Sequence, residues 1–136
     1  LAAVMGHEVG HAIARHGAER ASQSQAAGLV GSVGSAILGP AFDAAYGLGV
    51  NYGILMPYSR LQESEADYIG LLLMAKAGYD PSAALSFWQK MATAGGGKPP
   101  EWMSTHPSDE SRIAEIKRQL PEAMAIYKAR QGKTTP

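Results

Sequence analysis

The segment Ala2-Ala3-Val4-Met5-Gly6-His7-Glu8-Val9-Gly10-His11-Ala12-Ile13 decides how this chain is read. It contains no proline, and Val4, Met5, Val9, Ala12 and Ile13 recur at three- and four-residue spacings. That pattern predicts a helix over residues 1 to about 20. Gly6 and Gly10 weaken the local propensity, which implies that something packs closely against this helix. On such a helix His7 and His11 lie about 40° apart around the axis, so both imidazoles project from one face and can grip one ion. Glu8 is rotated by about 100° from His7 and can reach an activated water without binding the ion itself. The spacing is HExxH, which predicts Zn2+ held by His7 and His11 with Glu8 as general base of a hydrolytic reaction. A purely structural zinc site has no need of a carboxylate beside its ligands, so Glu8 favours an enzyme over a metal-stapled helix bundle.

A catalytic zinc site needs a third protein ligand and leaves its fourth position to water. His16 is nearest in sequence but out of register. In an HExxHxxGxxH arrangement the glycine would fall at Ala14 and the third histidine at Gly17. His16 is therefore expected as a polar residue behind the ligands. Better candidates lie in Ser59-Arg60-Leu61-Gln62-Glu63-Ser64-Glu65-Ala66-Asp67. Glu63 and Asp67 are one helical turn apart and share a face. One carboxylate can bind zinc while the other accepts a hydrogen bond from a ligand imidazole and fixes its tautomer. Glu63 is assigned as the ligand and Asp67 as the partner behind it. Glu65, about 200° around from Glu63, is expected to face elsewhere.

Outward from these two segments the reading is helical. Residues 21–57 are rich in Gly, Ala, Ser and long aliphatics, with Asp43 the only charge. Spanning a membrane takes roughly 20 apolar residues. The apolar run from Ala26 to Phe42 is shorter, is interrupted by glycine and serine, and meets Pro40 and Asp43. A helical hairpin is expected here, lying as a lid over the site or touching a membrane surface. From Ser59 the pattern predicts a helix with Leu61, Tyr68, Ile69, Leu72, Leu73 and Ala75 as its apolar face, closed by Gly78. Asp80-Pro81 opens the next helix, which carries Ala84, Leu85, Trp88 and Met91 and stops at Gly95-Gly96-Gly97. Residues 98–107 read as a loop containing Trp102 and His106. Ser108 caps a further helix with Asp109 and Glu110 in its first turn, and Pro121 is expected to break it. No strand pattern and no repeat is visible.

The chain has 136 residues, 46% of them hydrophobic and 18% charged, which suits one folded domain with a real core. Twelve basic and twelve acidic residues balance, so no basic stripe points to nucleic acid. With no cysteine, thiolate metal sites, disulfide scaffolds and cysteine nucleophiles are excluded. The opening residues do not form a signal peptide, and an upstream segment is expected before the HExxH helix.

Four pieces of sequence, in order, resemble the HtpX- and BepA-like zinc metallopeptidases, a family that also contains the CAAX prenyl endopeptidases. They are His7 to His11 followed by Ala14-Arg15-His16-Gly17, then Ser59-Arg60, then Glu63 to Asp67 with Gly70, and finally Ser104-Thr105-His106-Pro107 with Arg112. The resemblance implies a mostly α, zincin-type catalytic domain over residues 1–136, lacking the upstream segment that supplies an edge strand for extended peptide. It implies Glu63 as third ligand and Asp67 as its supporting aspartate, in agreement with the spacing argument. It further implies that His106 lies near the zinc and can occupy its open position, with Arg112 near the catalytic cleft. By chemistry alone His106 reads as a loop histidine. The expected activity is that of a zinc endopeptidase acting on proteins of the cell envelope or periplasm. The other reading is a latent zinc-binding chaperone or assembly factor, its open metal position plugged by His106.

Overall fold

The computed structural model describes residues 1–93, 106 and 110–132. Its first helix, α1 (Ala2–Ile13), ends at Ala14, and Arg15 then takes a left-handed backbone conformation with φ 59°. That single residue breaks the expected longer helix and redirects the chain into α2 (His16–Leu38). Gly39, at φ 83°, makes the turn into α3 (Pro40–Val50), which opens on a proline. A π-helical segment, Asn51–Leu55, leads directly into α4 (Met56–Ala77). Pro57 follows it and has no N–H for the ladder, a position where a register change is cheap.

Gly78, at φ 88°, ends α4 as expected, with its N–H on the Ala75 carbonyl and that of Tyr79 on the Met74 carbonyl. Asp80 caps the next helix, α5 (Ser82–Thr93), by accepting from the Ser82 N–H at 2.9 Å. The last described helix is α6 (Glu110–Gln131). Pro121 does not break it. The helix runs through that residue, held on both sides by Ile116 and Ala123, which are buried against α4 and α5. Tertiary packing outweighs the local cost of proline. The expected glycine stop at residues 95–97, the Ser108 cap and the loop 98–107, except His106, lie outside the described residues.

The apolar core is small and sits where α4, α5 and α6 meet: Leu71, Met74, Ala75, Ala84, Trp88, Ile116 and Ala123. It covers only the lower half of α4. The upper half buries Gln62, Glu63, Ala66 and Asp67 instead, so the apolar face expected from Leu61 onward is displaced around the helix. Leu61 itself is exposed. In α1 the buried positions are Gly6, His7 and Gly10, while Met5, Val9 and Ile13 face outward. The two helices meet backbone to backbone: a Cβ on Gly10 would lie 2.6 Å from the Ala66 carbonyl oxygen, and one on Gly70 2.9 Å from the Gly6 carbonyl carbon. The close neighbour inferred for Gly6 and Gly10 is α4.

Residues 21–57 form the helix–turn–helix of α2 and α3 and the π segment. The rings of Phe42 and Tyr46, stacked at 5.2 Å, press on Gly34 and Gly31 of α2, and Tyr46 donates to the Ala27 carbonyl. No side chain of residues 21–57 is buried, and Leu29, Val33, Ile37 and Leu48 are exposed. No helix among the described residues is long and apolar enough to cross a membrane.

Candidate metal centre

The tight α1–α4 contact decides the site. Because glycines at 6, 10 and 70 let the backbones touch, His7 and His11 on α1 are brought within reach of Glu63 on α4. The two Nε2 atoms are 3.1 Å apart. His7 Nε2 lies 3.3 Å from Glu63 Oε2, and His11 Nε2 lies 3.3 Å from Glu63 Oε1. His106 adds a fourth group, its Nδ1 being 3.0 Å from Glu63 Oε2 and 3.3 Å from His7 Nε2. All four donor atoms fit within a 4.8 Å span. A tetrahedral zinc with bonds of about 2.0–2.1 Å has ligand atoms about 3.3 Å apart. The donor set and its spacing therefore fit zinc.

Behind the donors, hydrogen bonds fix ring orientation. His7 Nδ1 is 2.8 Å from Asp67 Oδ1, leaving Nε2 to face the cluster. Arg112 grips Asp67 from below, Nε to Oδ2 at 2.6 Å and Nη2 to Oδ1 at 2.8 Å, while Nη1 is 3.3 Å from Glu63 Oε2. Its guanidinium stacks 3.4 Å from the centre of the buried Trp88 ring. Arg112 is only 7% exposed. Expected near the cleft, it lies in the floor of the site, where it holds Asp67 and Glu63. Arg20 flanks Glu63 from the other side, Nη2 to Oε1 at 3.1 Å, and bonds Gln62.

Glu8 emerges on the exposed side of α1, as its rotation from His7 predicts, with its carboxylate 3.5 Å from His106 Nε2. Glu65 points away from the four donors, also as expected, and pairs with His16. Burial opposes the charge on Glu63, but hydrogen bonds from His11, His7 and His106 outweigh it and hold the carboxyl far below the usual carboxylate range. Burial likewise opposes a proton on His7, yet bonds to Asp67 and Glu63 raise its pKa above the ordinary value. A cluster so arranged keeps a carboxylate anion ready for a cation.

Residues 1–120 match the model of peptidase family M48. The chain belongs to peptidase family M48. Its relatives include the mitochondrial metalloendopeptidase OMA1 of Schizosaccharomyces pombe, 44% identical over 90% of this chain and 37% of that protein. The human mitochondrial metalloendopeptidase OMA1 is 36% identical over 93% of this chain and 26% of its own length. The beta-barrel assembly-enhancing protease of Escherichia coli is 33% identical over 86% of this chain and 26% of its own length. The chain thus spans about a third or less of the length of these curated relatives. No solved structure gave a significant match. Members of this M48 family use zinc, and the His7, His11, Glu63 and His106 group is suited to it.

Sequence reasoning missed three residues of the site. Arg20 and Gln62 carried no motif signal. Trp88 read only as an apolar helix residue, and nothing in its spacing revealed the guanidinium stacked on it.

Proposed function

We propose that the protein is a zinc endopeptidase in which His7, His11 and Glu63 hold the metal and Glu8 is the general base. The observation that carries this reading is the convergence of three donor atoms at zinc-ligand spacing beside an exposed carboxylate. Zinc, when bound, supplies Lewis-acid polarisation. Glu8 takes the proton of the attacking water and delivers it to the leaving amine, a task that its exposed position on α1 permits. Asp67 keeps the His7 proton on Nδ1, and Arg112 acts through Asp67 and Glu63 as a positioning residue. The substrates are proteins or peptides, in keeping with the metalloendopeptidase names of the relatives.

Within that activity His106 is a plug. Its Nδ1 completes the four-atom donor set, which favours a closed, latent state opened when the histidine swings aside. Swung out, it would be available to hydrogen-bond the oxyanion of the tetrahedral intermediate. Residues 21–57 serve as a lid or surface-contact hairpin, a role in keeping with their exposed aliphatics. The setting proposed is quality control of cell-envelope proteins. The bacterial relative named for β-barrel assembly favours the cell envelope, and the OMA1 relatives favour the mitochondrion. Casein degradation by the full-length protein tests the core of the proposal. Activity should be abolished by a chelator and restored by zinc, and chelator-resistant hydrolysis would overturn it.

A further inference from the structure

His16 is as buried as His7, at 1% exposure, yet the reaction outlined above gives it no task. It sits five residues after His11. On an uninterrupted helix, residues five apart point about 140° away from each other. Here the left-handed turn at Arg15, a conformation that non-glycine residues seldom adopt, ends α1 and restarts the chain as α2 with His16 folded back on His11. His16 Nδ1 lies 2.8 Å from His11 Nδ1, and its other nitrogen, Nε2, lies 3.2 Å from Glu65 Oε2.

We infer that Glu65 and His16 form a relay that sets the tautomer of His11, making His16 a positioning residue for the metal and Glu65 its anchor. This rests on the reading of His11 as a zinc ligand through Nε2. A ligand lone pair on Nε2 leaves the His11 proton on Nδ1, so His11 Nδ1–H donates to His16 Nδ1. That nitrogen must then be an acceptor, which places the His16 proton on Nε2, where it donates to the Glu65 carboxylate. Each proton position forces the next. The two metal histidines are thus supported differently: His7 by a buried carboxylate clamped by Arg112, His11 by a neutral imidazole that reaches a 58% exposed carboxylate. Outer partners of this kind are worth about 10–100-fold in metal affinity.

The test uses the full-length, zinc-loaded protein with 15N-labelled histidine. Long-range 1H–15N spectra should show His7 and His11 coordinated through Nε2, and His16 as the neutral Nε2–H tautomer. Coordinated His7 and His11 together with an Nδ1–H or doubly protonated His16 would overturn the relay while leaving the zinc reading intact. Loss of both coordination signatures would instead sink the zinc reading. Zinc affinity, by competition with a chromophoric chelator, should fall about 10–100-fold in His16→Phe, which keeps the bulk but removes the acceptor. His16→Asn, whose amide oxygen stands near the Nδ1 position, should restore most of it. Glu65→Ala, at an exposed position that does not threaten folding, should show a smaller loss. Wild-type affinity in both His16→Phe and Glu65→Ala would remove the relay.

Discussion

The α1–α4 seam and the α2–α3 hairpin are both rich in glycine, and they use it for opposite ends. In the seam, Gly6, Gly10 and Gly70 bring two backbones into contact, and the side chains beside them are buried and polar: His7, Glu63, Asp67. In the hairpin, Gly31 and Gly34 receive two aromatic rings, while Gly28, Gly47 and Gly49 meet nothing, and long aliphatics lie exposed. The polar region is therefore the closely packed one and the apolar region the loosely packed one. Hydropathy alone would rank them the other way. What matters is which groups must be held to within a few tenths of an ångström.

The largest effect should follow from Glu8, which the seam carries on its open side. Glu8→Gln should keep zinc, measured by metal analysis, and lose about 10²–10⁴-fold in peptide hydrolysis, because an amide cannot accept the proton. Near wild-type turnover in the full-length protein would remove Glu8 from the role of base. His106 sharpens the distinction between the fixed donors of the seam and a donor brought from elsewhere in the chain. His106→Ala should raise proteolysis if the residue is a plug. A loss of about 10²-fold would make it an oxyanion donor instead.

Within the seam itself, Gly10→Ala forces a methyl into the Ala66 backbone and should cost about 1–3 kcal/mol in chemical denaturation, with weaker zinc binding as α1 is pushed off α4. The matching change in the hairpin should act with opposite sign. Gly28→Ala, in open space on α2, should add about 0.5–1 kcal/mol and leave zinc affinity unchanged. Equal destabilisation by the two alanines would erase the contrast between the regions.

Much of the site was legible because a metal centre constrains sequence locally. Two histidines four apart on one helix, and two carboxylates four apart on another, project from single faces whatever surrounds them, and the structure brings His7, His11, Glu63 and Asp67 together. The apolar stripes were less reliable. Met5, Val9 and Leu61 carry the right periodicity and are exposed, because the faces they would have buried are taken by glycine and by the site. Pro121 misled for a similar reason: its local cost was weighed without the packing of Ile116 and Ala123 that carries the helix past it.

The sequence by itself determined the helical class, the C-terminal end of α4 at Gly78 and the start of α5, and it pointed to His7, His11 and Glu63 as candidate metal donors, since each depends on residues within one or two turns. Only the tertiary structure decided the remainder. Whether Gly6 and Gly10 meet Gly70 and Ala66, whether Arg112 lies under Asp67 on the face of Trp88, and whether His16 turns back on His11 all depend on backbone approach and on one left-handed residue. Periodicity has no means of recording those contacts, because they join residues by distance in space and by the burial of charge rather than by position along a helix.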